Sequence, residues 1–201
     1  MDSSFQIERF CHIRNHRISV NGEMLFETPE TDFAAFIKAS YKSLGLSYSK
    51  FFKMDNLSKL AFIAADIMLK NETEKKIALV FSNKGSSLDT DRKHQESIEN
   101  TADFYPSPAV FVYTLPNICL GEISIKHELH SENAFFIFES FNPSELQAYC
   151  SSLLRTSNSE KVLCGWVDFD KGKYDAFLYV VAKNGIFAHT SEELTRLYQT
   201  I

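Results

Sequence analysis

The 201-residue sequence has no excess of positive charge, no long apolar run and no closely spaced pair of cysteines. Its 21 Lys and Arg are outnumbered by 26 Asp and Glu, and no basic block stands out, which argues against nucleic acid or anionic lipid as a partner. Nowhere do roughly 18 apolar residues follow one another, and the start of the chain lacks a signal-peptide pattern. We therefore expect a cytoplasmic protein that does not associate with membranes.

The four cysteines are widely spaced and lie inside apolar stretches (Cys11, Cys119, Cys150 and Cys164). This is the pattern of buried free thiols in a reducing compartment. We expect neither disulfide bonds nor reactive thiols, and nothing in the sequence indicates a cofactor.

Phenylalanine is abundant, at 18 of the 201 residues, which predicts a large aromatic core or interface. A chain of this length buries roughly 70% of the surface that its unfolded form exposes, so one domain over residues 1–201 has a sufficient core. Residues 82–107 are polar and are predicted to form a long excursion over the surface.

Helical and strand-like spacings of apolar residues alternate along the chain, which predicts an α/β fold with parallel crossovers and a five-stranded mixed sheet flanked by helices. The first strand is predicted to end at the turn Asn21-Gly22. The predicted strands are 11–20, 77–81, 134–138, 162–168 and 176–182. The predicted helices are 33–44, 56–70, 89–100 and 116–130, one that begins at Pro143, and 191–199.

Two segments resemble the N-terminal half of β-ketoacyl synthases. Residues 51–69 read FFKMDNLSKLAFIAADIML and resemble the family's early Arg-Met-Asp helix. Residues 107–124 read SPAVFVYTLPNICLGEIS and resemble its SPxxFxxSxxNxxxGxxS run. The matching positions include Phe111, Asn117, Gly121 and Ser124. The sequences of these two segments are also similar to those of small ketosynthase-like proteins from aryl polyene or flexirubin-type pigment clusters.

The resemblance implies a thiolase-like half, a βαβαβαββ unit that extends from about Cys11 to Ala182. Condensing enzymes of this fold contain two such units, and this chain has the length of one. The glycine of the second motif, Gly121, would permit close approach of another backbone.

The family places its nucleophilic cysteine just after the third strand, at the start of a buried helix whose dipole stabilises the thiolate. Counting back from Leu153-Leu154 puts that position at Glu139 or Ser140. A carboxylate cannot carry the acyl group of a Claisen condensation, and a serine needs a nearby base. The resemblance therefore implies a ketosynthase-like, non-catalytic subunit or an acyl- or acyl-carrier-binding accessory, in bacterial fatty-acid or polyketide-type synthesis.

Other interpretations of these residues stay open. Glu139 and Ser140 could be polar residues that cap the next helix. Ser140 with His127 or His130 and Asp168 has the residue types of a catalytic triad, hence of a minimal acyltransferase or hydrolase, although no GxSxG motif surrounds the serine. The two histidines could instead bind a metal, but no third ligand is suggested.

The strand that precedes Glu139 is uncharged and rich in phenylalanine (Ala134, Phe135, Phe136, Ile137 and Phe138). In thiolase-type halves this strand lies at the sheet edge and pairs with its counterpart across a dimer axis, and an unpaired apolar edge would promote aggregation. We therefore predict a homodimer or a heterodimer with a full-length ketosynthase, with acyl carrier protein as a further partner. A structural homodimer that scaffolds a biosynthetic complex is the remaining alternative.

Overall fold

The structure is a computed structural model that describes residues 5–30, 32–99 and 106–200. Its strands are β1 (Gln6–Arg14), β2 (Arg17–Val20), β3 (Glu23–Glu27), β4 (Ile77–Asn83), β5 (Asn133–Ile137), β6 (Lys161–Asp170), β7 (Lys173–Ala182) and β8 (Phe187–Ala188). Its helices are α1 (Phe33–Ser43), α2 (Asn56–Met68), α3 (Leu88–Glu99), α4 (Pro108–Val112), α5 (Ile118–His127), α6 (Pro143–Thr156) and α7 (Ser191–Gln199). A short 3-10 turn at residues 51–53 precedes α2.

All eight strands belong to one mixed sheet with the order β3-β2-β1-β7-β6-β4-β5, and β8 pairs with β1. The β4 strand is parallel to both of its neighbours, whereas the other pairs are antiparallel. Every residue of β4 is buried. Its continuous apolar sequence is what a parallel strand covered on both faces requires.

Helices cover the two faces of the sheet and create two aromatic cores. Helices α1, α2 and α5 bury the first core, which includes Phe36, Phe51 and Phe62. Helices α6 and α7 bury the second core, which includes Phe10 and Phe177. The abundance of phenylalanine is thus explained largely by the core, and α2, with most of its residues buried, is the central helix that the sequence predicts.

The prediction of a mixed α/β fold is confirmed, but the prediction of five strands is wrong, because the described residues alone form eight. The single strand expected over residues 11–20 is two strands that meet at a turn where Asn15 and His16 adopt left-handed conformations. The turn at Asn21-Gly22 then closes a second hairpin to β3. This meander was missed because Asn15-His16 lacks the glycine that typically marks such a turn.

The helix predicted over residues 116–130 is shorter and is preceded by the separate helix α4. Helix α5 ends at His127 because Glu128 adopts a left-handed conformation. The other predicted helices and strands coincide with observed elements to within a few residues at each end. Within the part of the chain that the structure describes, no helix is both long and apolar enough to cross a lipid bilayer.

The polar segment 82–107 contains helix α3, which is tied to the β6–β7 hairpin. Asp89 accepts a hydrogen bond from the backbone N–H of Lys171 at 3.3 Å, and Arg92 forms an ion pair with Asp170. The described part of this segment is therefore anchored to the sheet. The predicted end of the helix, Asn100, lies outside the described residues.

Candidate pairing surface and nucleophile-equivalent position

The edge strand β5 binds its single neighbour β4 in parallel register, with Phe81 opposite Phe135 and Asn83 opposite Ile137. The pairing extends one residue beyond the strand, because the Phe138 N–H donates to the Asn83 carbonyl at 2.9 Å. In the described ranges no strand pairs with the other edge of β5. The strand predicted for dimerisation is therefore at the edge of the sheet.

The phenylalanines of this strand are divided between the two cores. Phe135 packs against the first core, whereas Phe136 and Phe138 pack against the second. The Phe136 ring stacks on Phe138 at 5.7 Å and meets Tyr149 of α6 edge-on at 4.9 Å. The helices thus cover the faces of β5 in part, and no described strand pairs with its outer edge.

Large apolar side chains are exposed on α4, on α5, on the turn between them and on β5. Eleven such side chains are exposed in the described chain, and five of them lie between residues 111 and 137. We call these five the β5 surface: Phe111, Val112, Leu115, Ile125 and Ile137, with exposed fractions from 47% to 61%. Five of the exposed apolar side chains therefore belong to the segment of the chain that ends in the edge strand β5.

Helix α5 is fixed to the fold by its inner face and by one carboxylate. Cys119, Leu120 and Ile123 are buried. Glu122 accepts hydrogen bonds from the Tyr48 hydroxyl at 2.7 Å and from the Tyr113 hydroxyl at 3.3 Å. The opposite face of the helix is therefore presented to solvent in a defined orientation.

The predicted motif residues lie largely on that outer face. Asn117, Gly121 and Ile125 are four residues apart and are all exposed, as is Phe111, whereas Ser124 is half-buried. A Cβ atom added to Gly121 would meet no atom of the described chain within 4 Å. The close backbone approach expected at Gly121 does not occur among the residues that the structure describes.

Sequence reasoning missed Val112, Leu115 and Ile125, although a signal was present. Ile125 continues the four-residue spacing of the two motif positions Asn117 and Gly121, which is the spacing of one helix face. An apolar residue in line with an exposed glycine indicates a contact face and could have been identified from this spacing.

The predicted nucleophile-equivalent residues, Glu139 and Ser140, lie in an exposed bend between β5 and α6. Helix α6 begins at Pro143, and its cap is Asn142, whose side-chain oxygen accepts from the Glu145 N–H at 3.3 Å. The interpretation of Glu139 and Ser140 as the capping pair is therefore wrong. Neither side chain lies at a buried helix start, which is where the family's chemistry needs its nucleophile.

The candidate triad is not assembled. His127 and His130 precede β5, whereas Ser140 follows it, and a five-residue strand spans roughly 16 Å. The imidazole Nε2 of His127 lies 3.4 Å from Asp66 Oδ1 instead.

The third member of that candidate triad, Asp168, serves the loop after β4. Its Oδ1 accepts hydrogen bonds from the N–H groups of Lys84 at 3.1 Å and Gly85 at 3.2 Å. The Asn83 side chain closes the same loop, because it accepts from the Ser86 N–H and donates to the Ser86 carbonyl. These amides are thus occupied by an internal carboxylate.

All four cysteines are buried and free, as predicted. Burial raises the pKa of the Cys11 thiol to about 12, and it also raises the pKa values of Cys119 and Cys150. A thiol with a raised pKa is almost entirely protonated at neutral pH and is a poor nucleophile. These groups are parts of the core.

No protein-family model matches the sequence, and no curated protein matches it either. Solved structures do match. The chain is similar to "The ishigamide ketosynthase/chain length factor" (TM-score 0.65, 17% identity, 89% of this chain and 62% of that chain). It is also similar to a chain of the ketosynthase ApeO in complex with its chain length factor ApeC from Xenorhabdus doucetiae (TM-score 0.62, 13% identity, 97% of this chain and 90% of that chain).

A third similar structure is AntDE:AntF, a type II PKS acyl-carrier protein in complex with its ketosynthase (TM-score 0.61, 12% identity, 96% of this chain and 64% of that chain). The chain therefore has the fold of ketosynthases and chain length factors, which confirms the thiolase-like α/β class expected from the sequence. It spans less than two thirds of the first and third of these chains, and most of the second.

Proposed function

We propose that this chain is a non-catalytic ketosynthase-like subunit that pairs through β5 with a full-length ketosynthase, in bacterial fatty-acid or polyketide-type synthesis. One observation carries the proposal. The chain has the ketosynthase fold, but the connection from β5 to α6 is an exposed bend with Glu139 and Ser140 at the predicted cysteine position.

The chemistry of that bend supports a role other than condensation. A nucleophile that accepts an acyl group must be activated by a base, a lowered pKa or a metal. The histidines expected to activate Ser140 are separated from it by the length of β5. In this proposal the partner subunit supplies the nucleophile, and this chain supplies a surface.

The nature of the partner is supported by the similar structures. The matched chain in the ApeO–ApeC complex is similar in length to this chain, since the match covers 97% of this chain and 90% of that chain. That complex contains a ketosynthase and its chain length factor, and another similar structure contains an acyl-carrier protein. We therefore propose a ketosynthase as the main partner and an acyl carrier protein as a transient one.

Replacing Ile137 by lysine is expected to weaken this pairing roughly tenfold or more, because a charge on an edge strand opposes strand addition. Ile137 is 50% exposed, so the fold should tolerate the change. Ile186→Lys is the matched control, since Ile186 is 65% exposed and lies beside β8 at a different part of the sheet. Titration calorimetry against the ketosynthase from the same source measures the effect. Equal affinities for Ile137→Lys and Ile186→Lys would contradict pairing through β5.

Replacing Gly121 by alanine separates folding from pairing. The new methyl group meets no described atom of this chain, and alanine is favoured over glycine in a helix by about 1 kcal/mol, so thermal stability should rise slightly. If α5 approaches the partner closely at Gly121, affinity for the ketosynthase should fall in the same variant. A more stable protein with undiminished affinity would remove α5 from the interface.

The enzyme alternative has its own test. Incubation with acylated carrier protein should leave every residue unmodified in intact-mass spectra, because Ser140 is an exposed alcohol without an assembled base. An acyl adduct that disappears in Ser140→Ala would show that the chain is an acyltransferase or hydrolase.

A further inference from the structure

A cavity of about 360 Å³ lies at the opposite end of the sheet from β5. The meander β1–β2–β3 forms its floor, and the end of α7 borders it. Its lining includes His12, Arg14, Arg17, Ser19, Met24 and Thr200. This volume is within the range of small-molecule sites in proteins, which is about 300 to 1,000 Å³.

Strand alternation places these side chains together. His12 is opposite Ser19, Arg14 is opposite Arg17, and Ser19 is opposite Met24. Directly opposite residues project from the same face of a sheet, so all five face the cavity side. The intervening β1 residues, Cys11 and Ile13, enter the first core on the other face. The meander is thus apolar towards the core and polar towards the cavity.

His12 is the most informative of these residues because only 5% of it is exposed. Its ring stacks on Phe177 at 4.8 Å, and its Nε2 has no hydrogen-bond partner among the described residues. Burial and the Arg14 charge lower its pKa to about 4, although a hydrogen bond with the Tyr198 backbone acts in the opposite direction, so the ring is neutral at physiological pH. A buried polar atom without a hydrogen-bond partner destabilises the folded state, which indicates that a ligand supplies the missing partner.

Arg14 also has a side-chain nitrogen without a hydrogen-bond partner among the described residues. Its Nε donates to Asp175 Oδ1 at 2.5 Å, and its Nη1 donates to the Tyr198 carbonyl at 2.8 Å. Its Nη2 is buried, and the described chain offers it no acceptor. Arg17 adds a second guanidinium, which is mostly exposed and lies 3.4 Å from Glu27.

We propose that this cavity binds a small organic carboxylate that also bears a hydroxyl group. The carboxylate accepts hydrogen bonds from Arg14 Nη2 and from Arg17, because guanidinium groups are suited to carboxylate geometry. The hydroxyl donates to His12 Nε2, and the carbon skeleton contacts Met24. The site is far from the β5 surface along the sheet, and the proposal does not depend on the proposed function.

The test uses the full chain and three matched probes: 3-hydroxyhexanoate, hexanoate and 3-hexanol. Binding is followed by the ¹⁵N resonances of the His12 imidazole, which report directly on a new hydrogen bond at Nε2. We expect 3-hydroxyhexanoate to shift these resonances and to bind about tenfold more tightly than either partial probe. The absence of a shift, or equal affinities for all three probes, would overturn the proposal, and this measurement needs no variant.

Variants then assign the contacts. His12→Phe keeps the aromatic stacking and should reduce the affinity for 3-hydroxyhexanoate to that for hexanoate. Arg17→Gln should weaken both acids several-fold and leave 3-hexanol unchanged. Lys53→Gln is the control, because Lys53 is an exposed cation on the helix-covered face that bears the first core. Equal losses in Arg17→Gln and Lys53→Gln would show a nonspecific charge effect and contradict the site.

Discussion

The Gly165→Ala variant should lose more than about 4 kcal/mol of folding free energy, an exceptional loss for a single methyl group. Gly165 lies on β6 opposite Leu178 of β7 and has a φ of +151°, a conformation that residues with side chains rarely adopt. An added Cβ atom would overlap the Phe177 carbonyl oxygen and lie 3.0 Å from Leu178 Cα. Both obstacles are backbone atoms of the central strands, so neither can move without disrupting the sheet.

Urea unfolding followed by circular dichroism measures this loss, and soluble yield reports it if the variant does not fold. Gly121→Ala is the matched control, because the same substitution there meets no described atom within 4 Å. A Gly165→Ala protein within about 1 kcal/mol of the parent would show that β6 and β7 are not paired as described.

Acidification between pH 6.5 and 4 should destabilise the fold, because two buried histidines are held neutral. Burial is the main cause that lowers the pKa of His12 and of His189 to about 4, from an ordinary value of 6.5. As the pH falls below 6.5, the unfolded chain binds these protons before the folded chain does, so stability decreases. Each histidine should remove about 2 kcal/mol by pH 5 and about 3 kcal/mol by pH 4.

Urea unfolding at a series of pH values measures this slope. The double variant with His12→Phe and His189→Phe should be much less sensitive between pH 6.5 and 4.5, whereas His130→Gln should behave as the parent because His130 is exposed. Carboxylates add to the loss below about pH 5, since hydrogen bonds lower the pKa values of Glu132 and Glu193 below their ordinary 4.5 and that of Asp170 below its ordinary 3.8. A parent protein with constant stability from pH 7 to 4.5 would contradict the buried, neutral state of both rings.

Elements with a single strong pattern could be predicted from the sequence. Helix α2 combines an apolar stripe with Asp55, whose side chain accepts from the Ser58 N–H, and it is central as expected. Strand β4 is buried on both faces, as its continuous apolar run predicts. In each case the spacing of apolar residues agrees with the observed burial, so the sequence alone predicts the element and its place in the fold.

The meander and its cavity could not be predicted in the same way. In β1, the residues His12 and Arg14 face the cavity and alternate with Cys11 and Ile13 of the core, but the turn that follows them carries no glycine. Which polar atoms lack partners depends on contacts far apart along the chain, such as that between Arg14 and Asp175. Sequence spacing does not contain this information.

The β5 surface was predicted in part. The strand itself was identified from its apolar sequence, whereas Leu115 and Ile125 were missed, although Ile125 continues the four-residue spacing of Asn117 and Gly121. The candidate triad was also wrong, because Ser140 and His130 lie at opposite ends of β5. The sequence interpretation did not take the length of this strand into account.

Photo-crosslinking from β5 in the native host tests the pairing most directly. A benzoylphenylalanine placed at Ile137, which is half exposed on the edge strand, would be irradiated and its products identified by mass spectrometry. We predict a covalent product with a cysteine-containing ketosynthase, joined at that protein's own edge strand, and no such product from the same group at Ile186. A crosslink from Ile137 only to a second copy of this chain, or none at all, would contradict the proposed ketosynthase pairing.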